Sequence, residues 1–155
     1  MLLPGTAAPE IDLPDLDGER FRLTDALRSG PVVIAFFKIS CPTCQMTFPF
    51  LQRMIDGAGS STQLVAISQD DVGDTREFQQ RFGVSMQTLL DSKPHYAASN
   101  AYRIENVPSI FLVQQDGTIG LAVDGFHKQA LEDIGRLFGV ETFRETDRVP
   151  AMRPG

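Results

Sequence analysis

Six consecutive apolar residues, Val32-Val33-Ile34-Ala35-Phe36-Phe37, follow Pro31 and stop at Lys38. A run this short, partly β-branched and bounded by turn residues, fits a strand buried on both faces. Such a strand needs a layer above it and a layer below it. Leu64-Val65-Ala66-Ile67 repeats the pattern, and Ile110 to Val113 with Ile119 to Val123 reads as a hairpin turning at Asp116-Gly117.

Between these runs the periodicity changes from strand to helix. Phe50, Leu51, Met54 and Ile55 recur at helical spacing before Gly57-Ala58-Gly59 stops the helix. Asp71 or Asp74 can cap a helix carrying Phe78 and Phe82, closed by Gly83. Met86 to Leu90 reads as a short strand, His95 to Tyr102 as a short helix, and Lys128 to Phe138 as the last helix. Upstream, Phe21-Arg22-Leu23 reads as a short strand after the Asp17-Gly18 turn, with Thr24 placed to cap a brief helix. The order predicts a three-layer α/β fold with a central mixed sheet and helices on both sides.

A length of 155 residues fits one domain, here residues 1–140 with an extended lead-in over 1–20. Residues 141–155 read as a tail that is loosely held or draped on the surface. Twenty acidic against fourteen basic residues give a net charge of -6, which argues against gripping nucleic acid or an anionic membrane. No apolar stretch is long enough for membrane insertion. The opening Met-Leu-Leu-Pro-Gly lacks a positive n-region and a long apolar h-region, so a cytoplasmic location is expected, or an extracytoplasmic one if a leader was removed.

The only two cysteines, Cys41 and Cys44, stand between strand 32–37 and the helix that follows. Three readings compete: a redox pair, half of a zinc site, or a structural pair. A closed zinc site wants four ligands, and His95 and His127 stand at no ligand-like spacing, so they read as surface or capping residues. Cys41 falls at the helix N-terminus, where unpaired N–H groups and the helix dipole favour a thiolate. Pro42 suits the first helical turn, and Cys44, one turn inside, is the more buried partner. Exposure divides the labour: Cys41 attacks a disulfide and Cys44 resolves the mixed disulfide.

Strand, Cys-x-x-Cys and helix together resemble the active site of the thioredoxin superfamily. Pro49 sits inside the helix where that family carries a kinking proline, and Val107-Pro108 before strand 110–113 resembles its cis-proline loop. The interval from Cys44 to Pro108 leaves room at 71–102 for an added helix–strand–helix unit, as in the TlpA/ResA-like and AhpC/TSA branches. Pro4-Gly5-x-x-Ala8-Pro9 is similar to their opening. The resemblance implies a thiol–disulfide oxidoreductase acting on protein disulfides or dithiols, recharged by a thiol reductant. It also implies that Val107 and Pro108 form the partner-binding edge. Pro42 and Thr43 surround the Cys41 sulfur and help set its potential. No metal, nucleotide or flavin cofactor is implied.

Some positions depart from the family. Ser40 replaces the common tryptophan, and Ala35 and Thr47 stand where relatives carry an acid for the second cysteine's proton, leaving water or Lys38. The alternatives are a peroxiredoxin-like peroxidase and a redox-sensing binding module. The Pro-x-x-x-Thr/Ser-x-x-Cys peroxidase pattern fails at both cysteines, because the counted-back positions are Ile34 and Lys38, or Phe37 and Cys41.

Overall fold

The structure, a computed structural model, describes residues 1–155. In chain order the elements are β1 (Asp12–Pro14), β2 (Arg20–Arg22), α1 (Leu23–Ala26), β3 (Val32–Phe37), α2 (Pro42–Asp56), β4 (Gln63–Ser68) and α3 (Val72–Phe82). There follow β5 (Thr88–Leu90), α4 (Ala97–Ala101), β6 (Ser109–Val113), β7 (Ile119–Asp124), β8 (Phe126–His127), α5 (Lys128–Leu137) and β9 (Met152–Arg153). Five strands form one mixed sheet in the order β5-β4-β3-β6-β7. β3 runs parallel to β4 and antiparallel to β6, so the apolar run is the central strand. The α3–β5–α4 unit fills the interval expected to hold an insertion. No helix is long and apolar enough to cross a membrane.

Alternation along β3 builds two cores. Val33, Ala35 and Phe37 point to one face and join Phe48, Leu51, Phe78, Ile134 and Phe138. Val32, Ile34 and Phe36 point to the other and join Ile11, Tyr102, Phe111 and Ile119. All six β3 residues are at most 1% exposed, and each large side chain so buried contributes about 1.5–3 kcal/mol. Phe37, Phe48 and Phe78 form an aromatic cluster with ring centres 4.4 to 5.8 Å apart, which fixes α2 and α3 against β3. On the other face Tyr102 packs against Phe36 and Phe111, and its hydroxyl donates to the Pro9 carbonyl at 2.7 Å. Tyr102 is therefore a core residue shared by both halves of the chain.

Three local expectations change. Thr24 does not cap α1. The helix starts at Leu23, and the Glu10 carboxylate accepts both the Thr24 N–H and its hydroxyl, so a distant residue supplies the cap. His127 occupies the position before α5 without a side-chain cap bond. The segment after α5 is partly core, because Thr142 and Phe143 are buried and the Phe143 ring packs at a tilt against Phe50, with ring centres 4.7 Å apart. Arg53 on α2 holds this segment by donating to the Thr142 carbonyl and the Asp147 carboxylate, at 2.8 and 2.7 Å. Phe143, Thr142 and the Arg53–Asp147 pair together anchor a stretch whose composition otherwise reads as a loose tail. Val149 still packs against the core, and residues 150–155 lie exposed on the surface.

Candidate active site

β3 ends at Phe37, a short turn follows, and α2 begins at Pro42. Cys41 is therefore the residue before the helix, in extended backbone, and its sulfur accepts the Cys44 N–H at 3.2 Å. A helix N-terminus has N–H groups with no partner inside the helix, and here the sulfur takes one of them. Cys41 is half-buried, whereas Cys44 is 0% exposed, and both are free thiols. Pro42, between them, is exposed. Thr43 is 3% exposed, and its hydroxyl donates to the Pro154 carbonyl at 2.6 Å.

The register of the sheet brings Val107 and Pro108 here. β6 is antiparallel to β3 with Ser109 opposite Phe36, so the residues just before β6 lie beside those just after β3. The Val107–Pro108 peptide is cis. The Cys41 thiol donates to the Val107 carbonyl at 3.3 Å. No other group donates to that carbonyl, and the Val107 N–H donates to no group of the protein. A cleft of about 380 Å³ opens beside this edge, lined by residues that include Lys38, Gln69, Tyr96, Asn106 and Val107.

Burial pushes the Cys44 thiol far above its usual range. The hydrogen bond with Cys41 and the negative charges of Cys41 and Asp70 add to the effect, and the Lys38 backbone N–H offsets part of it. Asp70 is the residue that sequence reasoning missed. It follows β4 and its carboxylate accepts the Ile39 N–H at 2.8 Å, tying the cysteine turn to the neighbouring strand. On the other side of the turn, Gln45 on α2 donates to the Ile39 carbonyl at 2.9 Å. No local motif marks Asp70; only the parallel β3–β4 pairing brings it to the cysteines. Lys38 is exposed, and His95 and His127 stand in no cluster able to hold a metal.

Two thiols at the mouth of a helix, facing an X–Pro edge on a mixed sheet, define a thiol–disulfide oxidoreductase site on a thioredoxin-like fold. The AhpC/TSA family model matches residues 4–122, most of the chain, and the protein belongs to that family. Among curated proteins it is similar to the thiol-disulfide oxidoreductase ResA of Geobacillus thermodenitrificans, 29% identical over 84% of this chain and 77% of that protein. It is also similar to ResA of Bacillus subtilis, 27% identical over 78% of this chain and 67% of that protein. Among solved structures, the thioredoxin domain of a thiol-disulfide oxidoreductase from Bacteroides vulgatus superposes with a TM-score of 0.78. That match is 20% identical and covers 89% of this chain and 99% of the domain.

Proposed function

We propose that the protein exchanges its Cys41–Cys44 dithiol with disulfides of protein partners, Cys41 acting as nucleophile and Cys44 as resolving thiol. The observation that carries this assignment is the contrast between the two sulfurs. Cys41 is half-buried at the helix mouth and touches Val107, while Cys44 is sealed behind it.

As a thiolate, Cys41 attacks one sulfur of the partner disulfide. A Cys41–sulfur bond forms, the partner's sulfur–sulfur bond breaks, and the second partner sulfur leaves as a thiolate. Cys44 then gives up its proton to water, and its sulfur attacks that of Cys41. The Cys41–Cys44 bond forms and the first partner sulfur leaves as a thiolate. Two electrons have passed to the partner, and a small or protein thiol reductant restores the dithiol. The Cys44 N–H, held on the Cys41 sulfur, faces the atom that carries negative charge before attack and again on leaving. The unpaired Val107 N–H and its carbonyl suit an extended partner segment, which can hydrogen-bond there while its cysteine meets Cys41.

Disulfide reduction in insulin, driven by dithiothreitol, tests the assignment. Activity is expected in the wild type and is lost in Cys41→Ala, with hydroperoxide consumption negligible in both. Rapid peroxide turnover without disulfide reduction would replace this reading with a peroxidase.

A further inference from the structure

Residues 151–155 lie across the same edge on which a partner segment would dock. The Lys128 N–H donates to the Ala151 carbonyl at 2.9 Å, and β9 pairs antiparallel with β8, His127 opposite Met152 and Phe126 opposite Arg153. Pro154 then accepts the Thr43 hydroxyl, in the dipeptide between the cysteines. Gly155 sits directly against the Val107 peptide, where a Cβ would overlap the Val107 carbonyl. Beneath the strand, Gly125 has φ +74°, and a Cβ there would come within 2.5 Å of the Arg153 carbonyl oxygen. Two glycines, one on each side, thus permit a backbone-to-backbone approach that side chains would prevent.

The contact is close but incomplete. All of 150–155 is exposed to solvent, and the segment leaves the Val107 N–H without an acceptor and the Val107 carbonyl with only the Cys41 thiol. A tethered segment competes at high effective concentration, yet one that leaves hydrogen bonds unmade yields to a strand that makes them.

We propose that residues 151–155 form an internal stand-in for the partner strand, which an extended segment of a protein disulfide must displace before its sulfur reaches Cys41. The proposal rests on the oxidoreductase reading for its consequence, although the docking itself does not. The displacing partner is an extended backbone segment with a small residue opposite Val107, where Gly155 now lies. Compact small disulfides need no such strip and reach the half-buried Cys41 from the open side.

Two variants test this, a chain cut after Val149 and Gly155→Val, each compared with the intact chain for reduction of insulin and of a small aromatic disulfide. The rate with a protein disulfide scales with the fraction of chains whose strip is free, so insulin reduction is expected to rise about threefold or more. The small-disulfide rate is expected to stay within about twofold, because that reaction does not use the strip. An unchanged or lower insulin rate in both variants, with the small-disulfide rate intact, overturns the proposal. In a second arm, a peptide of residues 149–155 is added to the cut and the intact chains, and backbone NMR shifts are followed at Val107 and Gly125 to Lys128. Shifts confined to the cut chain support the stand-in, and equal shifts, or none, in both chains overturn it. If the intact and cut chains both reduce neither disulfide, the oxidoreductase reading falls and the peptide arm alone decides the docking.

Discussion

Cys41 and Val107, 66 positions apart in the chain, meet with sulfur and carbonyl oxygen 3.3 Å apart, while Cys44 lies behind them with no exposed surface. Thiols react as thiolates and only where the reagent can reach them. Iodoacetamide at neutral pH is therefore expected to label Cys41 in the reduced protein at least about tenfold faster than Cys44. Peptide mass mapping after short exposure reads the ratio, and preferential labelling of Cys44 would reverse the assigned roles.

The raised Cys44 ionisation makes the reduced protein sensitive to alkali. In the unfolded chain this thiol ionises near 9.0, and in the fold it stays neutral well beyond that. The folded group thus holds its proton more tightly than the unfolded one. Its contribution to stability is full below pH 9.0 and is lost as pH rises above it. The loss is about 1.4 kcal/mol per pH unit while the folded thiol remains protonated. Urea midpoints of the reduced protein between pH 8 and 10 are expected to fall, and Cys44→Ala should remove that component of the slope.

Asp70 contributes negative charge to the Cys44 environment while its carboxylate holds the Ile39 N–H. Asp70→Asn keeps an acceptor for that N–H and removes the charge. Cys44 in a Cys41→Ser background is expected to ionise at lower pH in Asp70→Asn than with Asp70 present, as read by ultraviolet thiolate absorbance. An upward movement would show that Asp70 acts on Cys44 by something other than its charge.

Asp147 anchors the segment after α5 through Arg53, and the Arg53 hydrogen bond holds its carboxyl below the usual carboxylate range. A carboxylate depressed in the fold stabilises above its unfolded pKa, and that stabilisation is lost as pH falls through the folded value. Acidification below about pH 4 is expected to loosen residues 142–149 before the sheet. The Arg144 amide, which donates to Asp147 at 2.6 Å, should exchange its hydrogen faster there. Asp147→Ala should show the same fast exchange at neutral pH.

Phe48 ties the cysteine-bearing helix to the sheet through Phe37 and Phe78. Phe48→Ala is expected to cost about 3–5 kcal/mol by denaturant unfolding, the range for an emptied aromatic site in a core. A cost below about 0.5 kcal/mol, the usual range of surface substitutions, would mean that this cluster does not hold α2.

Much of the fold was legible because its cues are local. The β3 run has the length and bounding residues of a two-faced buried strand, and Asp116-Gly117 marks the turn between β6 and β7. Gly83 closes α3 in the left-handed conformation that glycine adopts without penalty. Cys-x-x-Cys after such a strand places Cys41 at the helix mouth and Cys44 one turn inside, since the helical repeat fixes both. Val107-Pro108 was found through resemblance to a family, not from its own residues.

What the chain order dictates, then, is the central strands, the longer helices and the spacing of the two sulfurs, because backbone hydrogen bonds and side-chain periodicity act over a few residues. The short strands β1, β8 and β9 carry no such local pattern. Which distant groups reach those sulfurs is decided by strand register, which depends on closing long loops and burying both faces of the sheet together. The Phe36–Ser109 pairing delivers Val107, the β3–β4 pairing delivers Asp70, and the burial of Phe143 with the β8–β9 pairing returns residues 151–155 to the site. None of these is encoded within a few residues of the cysteines, so the added charge and the strand laid across the edge emerge only in the assembled tertiary structure.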